Sequence, residues 1–180
     1  MKDYNLITRF WFQEIEPAQW WKKDPAFDAL IRQRFLIIHQ QAMNGELDAW
    51  RDHAEGALAE IIVLDQFSRN MFRGQPESFA SDSLALGLAQ YAIRRGLDKD
   101  LSTNEKAFLY MPFMHSESSE IHNLAVKLFE KAGQKNNLAF ELQHKKIIDR
   151  FGRYPHRNAI LNRASTPEEI KFLEEEGTSF

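Results

Sequence analysis

A chain of 180 residues that is 43% hydrophobic and 27% charged has ordinary globular composition and the length for one domain, residues 1–180, with a sizeable core. A formal net charge of −3 and a pI near 6.1 give no overall attraction to phosphate backbones or anionic lipid, so neither nucleic acid nor a membrane is an expected partner. The absence of cysteine excludes disulfides, thiolate catalysis and cysteine-bound zinc, and apolar runs such as residues 61–64 are too short to span a bilayer, which makes the cytoplasm the expected location.

The N-terminal aromatics Phe10, Trp11, Phe12, Trp20 and Trp21 read as core or as a self-association surface. Asp24 before Pro25 predicts a helix start, and Phe27, Leu30, Ile31, Phe35, Ile38 and Ala42 then fall on one face before Gly45. A second helix is predicted from near Glu46 toward Gly74, carrying Trp50, Leu58, Ile61, Ile62, Leu64 and Phe67, with Gly56 as a weak point or a close packing contact. The third runs from about residue 81 to 95 and closes at Gly96.

Ser102 and Glu105 have capping-box spacing ahead of a short helix that Pro112 is expected to end. Another starts near Ser116 and presents Ile121, Leu124, Ala125, Leu128 and Phe129 up to Gly133; the next begins at Asn136 or Asn137 and carries Phe140, Ile147, Ile148 and Phe151. Pro155 predicts a further helix start, and Thr166 with Pro167 opens the last, with Glu168 and Glu169 in its first turn. No segment sustains period-two alternation, so the fold class is all-α. Short turns between successive helices favour antiparallel hairpins, arranged as a bundle or a solenoid. A faint internal echo pairs Asp65, Phe67, Arg69 and Arg73 with Asp149, Phe151, Arg153 and Arg157.

Several polar residues interrupt this pattern. Arg34 lies on the apolar face of its helix and Asp65 continues that of the next, which suggests a buried ion pair between them. In FGRYPHRN, residues 151–158, His156 and Arg157 would stand in the first turn of the Pro155 helix, against its dipole, and call for a negative partner. Arg69, Arg73, Arg153 and Arg157 converging on a cleft would suit a carboxylate or phosphate, with Asn70 and Asn158 as caps or amide hydrogen-bonders. The alternative is that the arginines pair with Asp65, Glu117 and Asp149 and knit helix ends together.

His115 lies at a helix junction and is not explained by capping, whereas Ser116 and Glu117 make an ordinary hydroxyl cap and acidic first turn. His144 sits on an apolar stripe and reads as a hydrogen-bonded core histidine, and His39, His53 and His122 as solvent-facing or structural. His115 or His156 with Asp65 or Glu117 would be the acid–base candidates if they lie in mutual reach. His115, Glu117, His144 and His156 have the residue types of a metal site but no diagnostic spacing, so no metal or cofactor is expected. No GxSxG elbow, phosphate loop or dinucleotide fingerprint is present.

FWF near the start, LDQFSRNMFRG, YMPFMHSE, and FGRYPHRN followed by RASTPEE occur in that order. Through these motifs the chain resembles the bacterial domain of unknown function family 924 over nearly its whole length. The resemblance implies an all-α fold similar to tetratricopeptide-repeat proteins, a right-handed array of antiparallel hairpins closed into one compact domain. It points to Asp65, Gln66, Arg69, Asn70, Arg73 and Gly74, then Pro112, His115, Ser116 and Glu117, then His144 and residues 151–158, Tyr154 excepted, as the functional positions. Gln13 and Asn162 stand where the family has glycine, and His122 where it has glutamine. The resemblance implies no reaction. The expected function is therefore binding of a small anionic molecule in a polar cleft lined by Arg69, Arg73, His115, Arg153, His156 and Arg157, with catalysis and oligomeric state undetermined. The alternative is a tetratricopeptide-like interaction module that holds the acidic end of a peptide.

Overall fold

Helices form where apolar residues recur at helical spacing and stop where a cap or a left-handed residue satisfies the last carbonyls. The computed structural model describes residues 4–175, and these are helical, with no strand among them. They divide into two compact units, one comprising residues 4–73 and 77–112 and the other residues 74–76 and 113–175. No described helix is long and apolar enough to cross a membrane.

In the first unit, α1 (Tyr4–Arg9) continues through a π-helical turn, Phe10–Glu14, and α2 (Pro25–Met43) follows. The Asp24 carboxylate caps α2 by accepting from the amides of Ala26 and Phe27. The predicted second helix begins later than expected: Asp48–Asp52 is a 3₁₀ turn, and α3 (Ala54–Ile62) passes through a second π turn, Val63–Phe67, into α4 (Ser68–Met71). Gly56 is the close contact, because a Cβ there would collide with the Trp50 carbonyl oxygen. Then come α5 (Asp82–Arg95), ended by left-handed Gly96, and α6 (Thr103–Met114).

Pro112 lies inside the last turn of α6 instead of ending it. There it withholds one amide from the Phe108 carbonyl, and only two further residues of the helix follow it. The Ser102–Glu105 capping box forms as predicted, with both reciprocal hydrogen bonds in place.

From Gly56 to Phe67 every residue is buried, so this stretch is the axis on which α1, α2 and α5 pack. Phe10, Phe35 and Phe67 meet with ring centroids 4.9 Å apart for Phe10–Phe35 and for Phe35–Phe67. Each such ring contributes about 1.5–3 kcal/mol of transfer free energy. Phe10 and Trp11 are core residues, whereas Trp21 is 62% exposed.

Arg34 does not pair with Asp65. Its guanidinium runs over the Phe10 and Phe35 rings and donates to Glu14 at 2.9 Å. The long stem lies along the apolar face while the head reaches the surface, so helical phase alone misplaces the charge.

In the second unit, α7 (Ser119–Lys131) and α8 (Lys135–Phe151) are joined by a three-residue turn and form a closely packed hairpin. Ala125 and Phe129 on α7, and Ile147 and Ile148 on α8, are buried. Gly152, with φ 69°, ends α8, and its amide donates to the Ile148 carbonyl at 2.8 Å. Pro155 does not start an α-helix: Pro155–Arg157 is a single 3₁₀ turn. A turn that short has no appreciable macrodipole, so the predicted conflict of His156 and Arg157 with one disappears. Asn162 is left-handed, φ 52°, a conformation that asparagine tolerates better than most residues other than glycine. Thr166 and Pro167 open α9 (Pro167–Leu173) as predicted, and Thr166 forms a capping box with Glu169.

Candidate functional site

The site residues of the first unit are held by carboxylates. Arg69 donates in parallel to both Asp82 oxygens, at 2.9 and 3.0 Å, and pairs with buried Asp65 at 3.2 Å. Asp65 also accepts from the Gln66 amide at 2.7 Å. Arg73 clasps both oxygens of Asp28 at 2.6 and 2.8 Å, and Asn70 donates to the same carboxylate at 2.7 Å. These fork-to-carboxylate pairs are geometrically strong and tie α2, α4 and the start of α5 to one another.

The second unit builds a different environment. Left-handed Gly152 turns the chain so that Arg153 donates to both Glu169 oxygens, at 2.7 and 2.8 Å. With the Thr166 amide and Asn158 adding donors, these bonds hold the Glu169 carboxyl down at about 2. Asn158 also donates to Ser165 and accepts from Arg163, so it ties the 155–166 segment together.

Glu117 is not in a helix, because α7 starts at Ser119. It accepts from Arg163 at 2.7 and 2.9 Å and from the Tyr154 amide at 2.7 Å. Burial pushes its carboxyl up, but the Arg163 bonds, the Tyr154 amide and the charge of Arg157 outweigh this and hold it below its usual range. Glu117 is thus a fixed anion and a poor proton donor.

Tyr154, 1% exposed, is the centre of the unit. The rings of His156, His144 and His122 lie 5.5, 5.8 and 6.3 Å from its ring, and the Arg157 guanidinium sits 4.6 Å above it. Arg157 also donates to the His115 carbonyl at 3.0 Å. His144 donates from Nδ1 to the Phe140 carbonyl at 2.8 Å. Burial, with the charges of His115, His122 and His156, depresses its basicity to about 3. At neutral pH it is therefore an uncharged ring whose Nε2 is an acceptor. The arrangement can hold and orient an acidic group, with imidazole and guanidinium nitrogen gathered around one aromatic ring. Among the described residues no three His, Asp or Glu side chains are placed to share a metal ion.

The structure thus gathers His115, His144, His156 and Arg157 in one unit, with Arg153 and Asn158 bound to Glu169 beside them. Arg69, Asn70, Arg73 and Asp65 lie in the other unit. Sequence reasoning missed Tyr154 and Arg163, and took His122 as a background residue. His122, Ala125 and Phe129 share one face of α7, and Glu141, His144 and Ile148 one face of α8, so three titratable residues in core positions were visible as a signal.

Residues 7–177 match the family described as bacterial protein of unknown function (DUF924). The chain belongs to that family. A solved structure of a protein of unknown function from Agrobacterium tumefaciens is similar, with 42% sequence identity, a TM-score of 0.90, and coverage of 95% of this chain and 96% of that one. No curated protein matches the chain.

Proposed function

We propose that this protein binds a small anionic molecule at the histidine–arginine cluster around Tyr154. The observation that supports this is the gathering of three imidazoles and the Arg157 guanidinium on one buried ring. Imidazoles packed this closely oppose one another's protonation, and an anion placed among them would relieve that opposition. His115 and His156, both half-buried, are the side chains that would meet the ligand, with Arg157 as its guanidinium anchor. His144 would accept a hydrogen bond from a protonated or hydroxyl-bearing ligand.

In this reading the α7–α8 hairpin belongs to a right-handed tetratricopeptide-like array and the protein works in the cytoplasm. Arg69, Asn70 and Arg73 stay with Asp82, Asp28 and Asp65, and the anion is recognised in the second unit. Native mass spectrometry of gently purified protein, compared with its denatured mass, tests this. The expected result is an added small mass that Arg157→Met abolishes while the far-UV circular dichroism is retained. A peptide-sized mass would favour an interaction module. A bare chain that also gives no response to inorganic phosphate or small carboxylates would reject the reading.

A further inference from the structure

His122 and Glu141, one on each helix of the α7–α8 hairpin, have fully buried side chains, and Nδ1 lies 2.7 Å from Oε1. His122 Nε2 lies 2.8 Å from the Ser116 carbonyl oxygen. A carbonyl only accepts, so Nε2 carries a proton and donates it. The Tyr154 hydroxyl donates to the Met114 carbonyl, which leaves its oxygen lone pairs to face the same Nε2 at 3.3 Å.

With Nε2 protonated, the Nδ1–Oε1 contact fixes the proton count. Without a proton between them, an imidazole lone pair would face a carboxylate at hydrogen-bond distance, which is repulsive. One proton must lie there, on the ring or on the carboxyl, and in both placements the pair has no net charge. The second carboxyl oxygen, Oε2, is buried with no hydrogen-bond partner. An ionised carboxylate would suffer most from such a bare oxygen, which puts the proton on Glu141. Burial also pushes the Glu141 carboxyl up, against the pull of His122 and Lys145. Around the pair, His115, His144 and His156 bear on the same cluster as His122, and Arg157 and Glu117 contact Tyr154 from the adjoining segments.

We propose that His122 and Glu141 are positioning residues that share one buried proton, and that this neutral pair holds Ser116 and Tyr154 in place. Ser116 stands between His115 and Glu117, so the pair sets the position of the segment that supplies both, while Tyr154 carries the rings above it. Adding a second proton would create a buried cation, and removing the first a buried anion. The proton-sharing stands independently of any ligand; its effect on affinity rests on the anion-binding reading.

The test uses the full chain with nitrogen-labelled histidine, read by ring-nitrogen NMR and by titration with inorganic phosphate. The wild-type His122 ring is expected to show protonated Nε2 and an Nδ1 that accepts from the Glu141 carboxyl. Glu141→Gln, whose amide can donate to Nδ1 as the protonated carboxyl does, is expected to keep that signature and to keep phosphate affinity within about twofold. Glu141→Ala is expected to change the His122 ring-nitrogen signals and to weaken phosphate binding about tenfold, roughly the worth of one or two buried hydrogen bonds. A wild-type His122 with bare Nε2 overturns the proposal. So does a folded Glu141→Ala with unchanged ring signals and affinity. If Glu141→Ala does not fold, the wild-type and Glu141→Gln ring signals decide. If wild-type protein does not bind phosphate, the anion reading fails and the ring signals still decide the pair.

Discussion

Residues 65–73 and 149–157 carry aspartate, phenylalanine and two arginines at the same offsets, yet they end in different chemistry. In the first window Arg69 and Arg73 each grip a carboxylate with two parallel bonds, to Asp82 and Asp28. In the second, Arg153 does the same with Glu169, but Arg157 lies on the Tyr154 ring and donates to a main-chain carbonyl. The backbone explains the divergence. Residues 65–71 remain helical through a π turn and α4, so Arg73 stays at a helix end within reach of α2. Gly152 breaks the second window, and the chain turns through Pro155–Arg157 instead. A shared motif therefore does not imply a shared role, and the second window is the one placed among imidazoles.

Acid should separate the two regions most strongly. The buried His144 ring has its basicity depressed to about 3 from an ordinary 6.5. The unfolded chain takes up that proton as pH falls below 6.5 and the folded chain does not, so stability is intact above 6.5 and declines toward 3. The loss is about 1.4 kcal/mol for each pH unit once well below 6.5. His39, in the first unit, is depressed by burial in the same direction, and Glu141 acts in the opposite sense because burial raises it. Below about pH 4.5 Glu117 and Glu169 add losses of their own. Denaturant melts between pH 6.5 and about pH 5 therefore read the imidazoles, and His144→Gln should flatten the slope more than His39→Gln.

Next in size, Glu117→Ala leaves the Tyr154 amide without its acceptor and Arg163 without its carboxylate, with only Asn158 and the Tyr154 carbonyl still accepting from it. A cost of about 2–3 kcal/mol is expected in urea melts, less than for a fully buried pair because both side chains are partly exposed. Gly152→Ala forces a left-handed residue to carry a Cβ and should cost about 1 kcal/mol. Smallest is Arg73→Met, which breaks a partly exposed pair with Asp28. About 0.5–1 kcal/mol should be lost, more at low salt than at high, with phosphate binding untouched. If Arg73→Met and Arg157→Met weakened anion binding equally, the contrast between the windows would be lost.

The fold was legible where local chemistry determines it. Asp24, Ser102 and Thr166 cap the helices they were expected to cap. The π turns at Phe10–Glu14 and Val63–Phe67 were not, because one shifted hydrogen bond leaves apolar periodicity almost unchanged. Pro155 looked like a helix start because proline suits the first turn of an α-helix and a 3₁₀ turn equally. Arg34 was misplaced because helical phase places Cβ, while a guanidinium reaches well beyond it. At the site, the types and numbers of most polar residues were visible, but their partners were not. The His122–Glu141 pair joins residues 19 apart, and only the register of the α7–α8 hairpin brings them together.

The most direct measurement is ring-nitrogen NMR of all six histidines during titration of the full chain with inorganic phosphate. The account predicts progressive shifts at His115, His144 and His156, lost in Arg157→Met, with His39 and His53 unmoved. Unchanged spectra at His115 and His156, or shifts confined to His39 and His53, would contradict it.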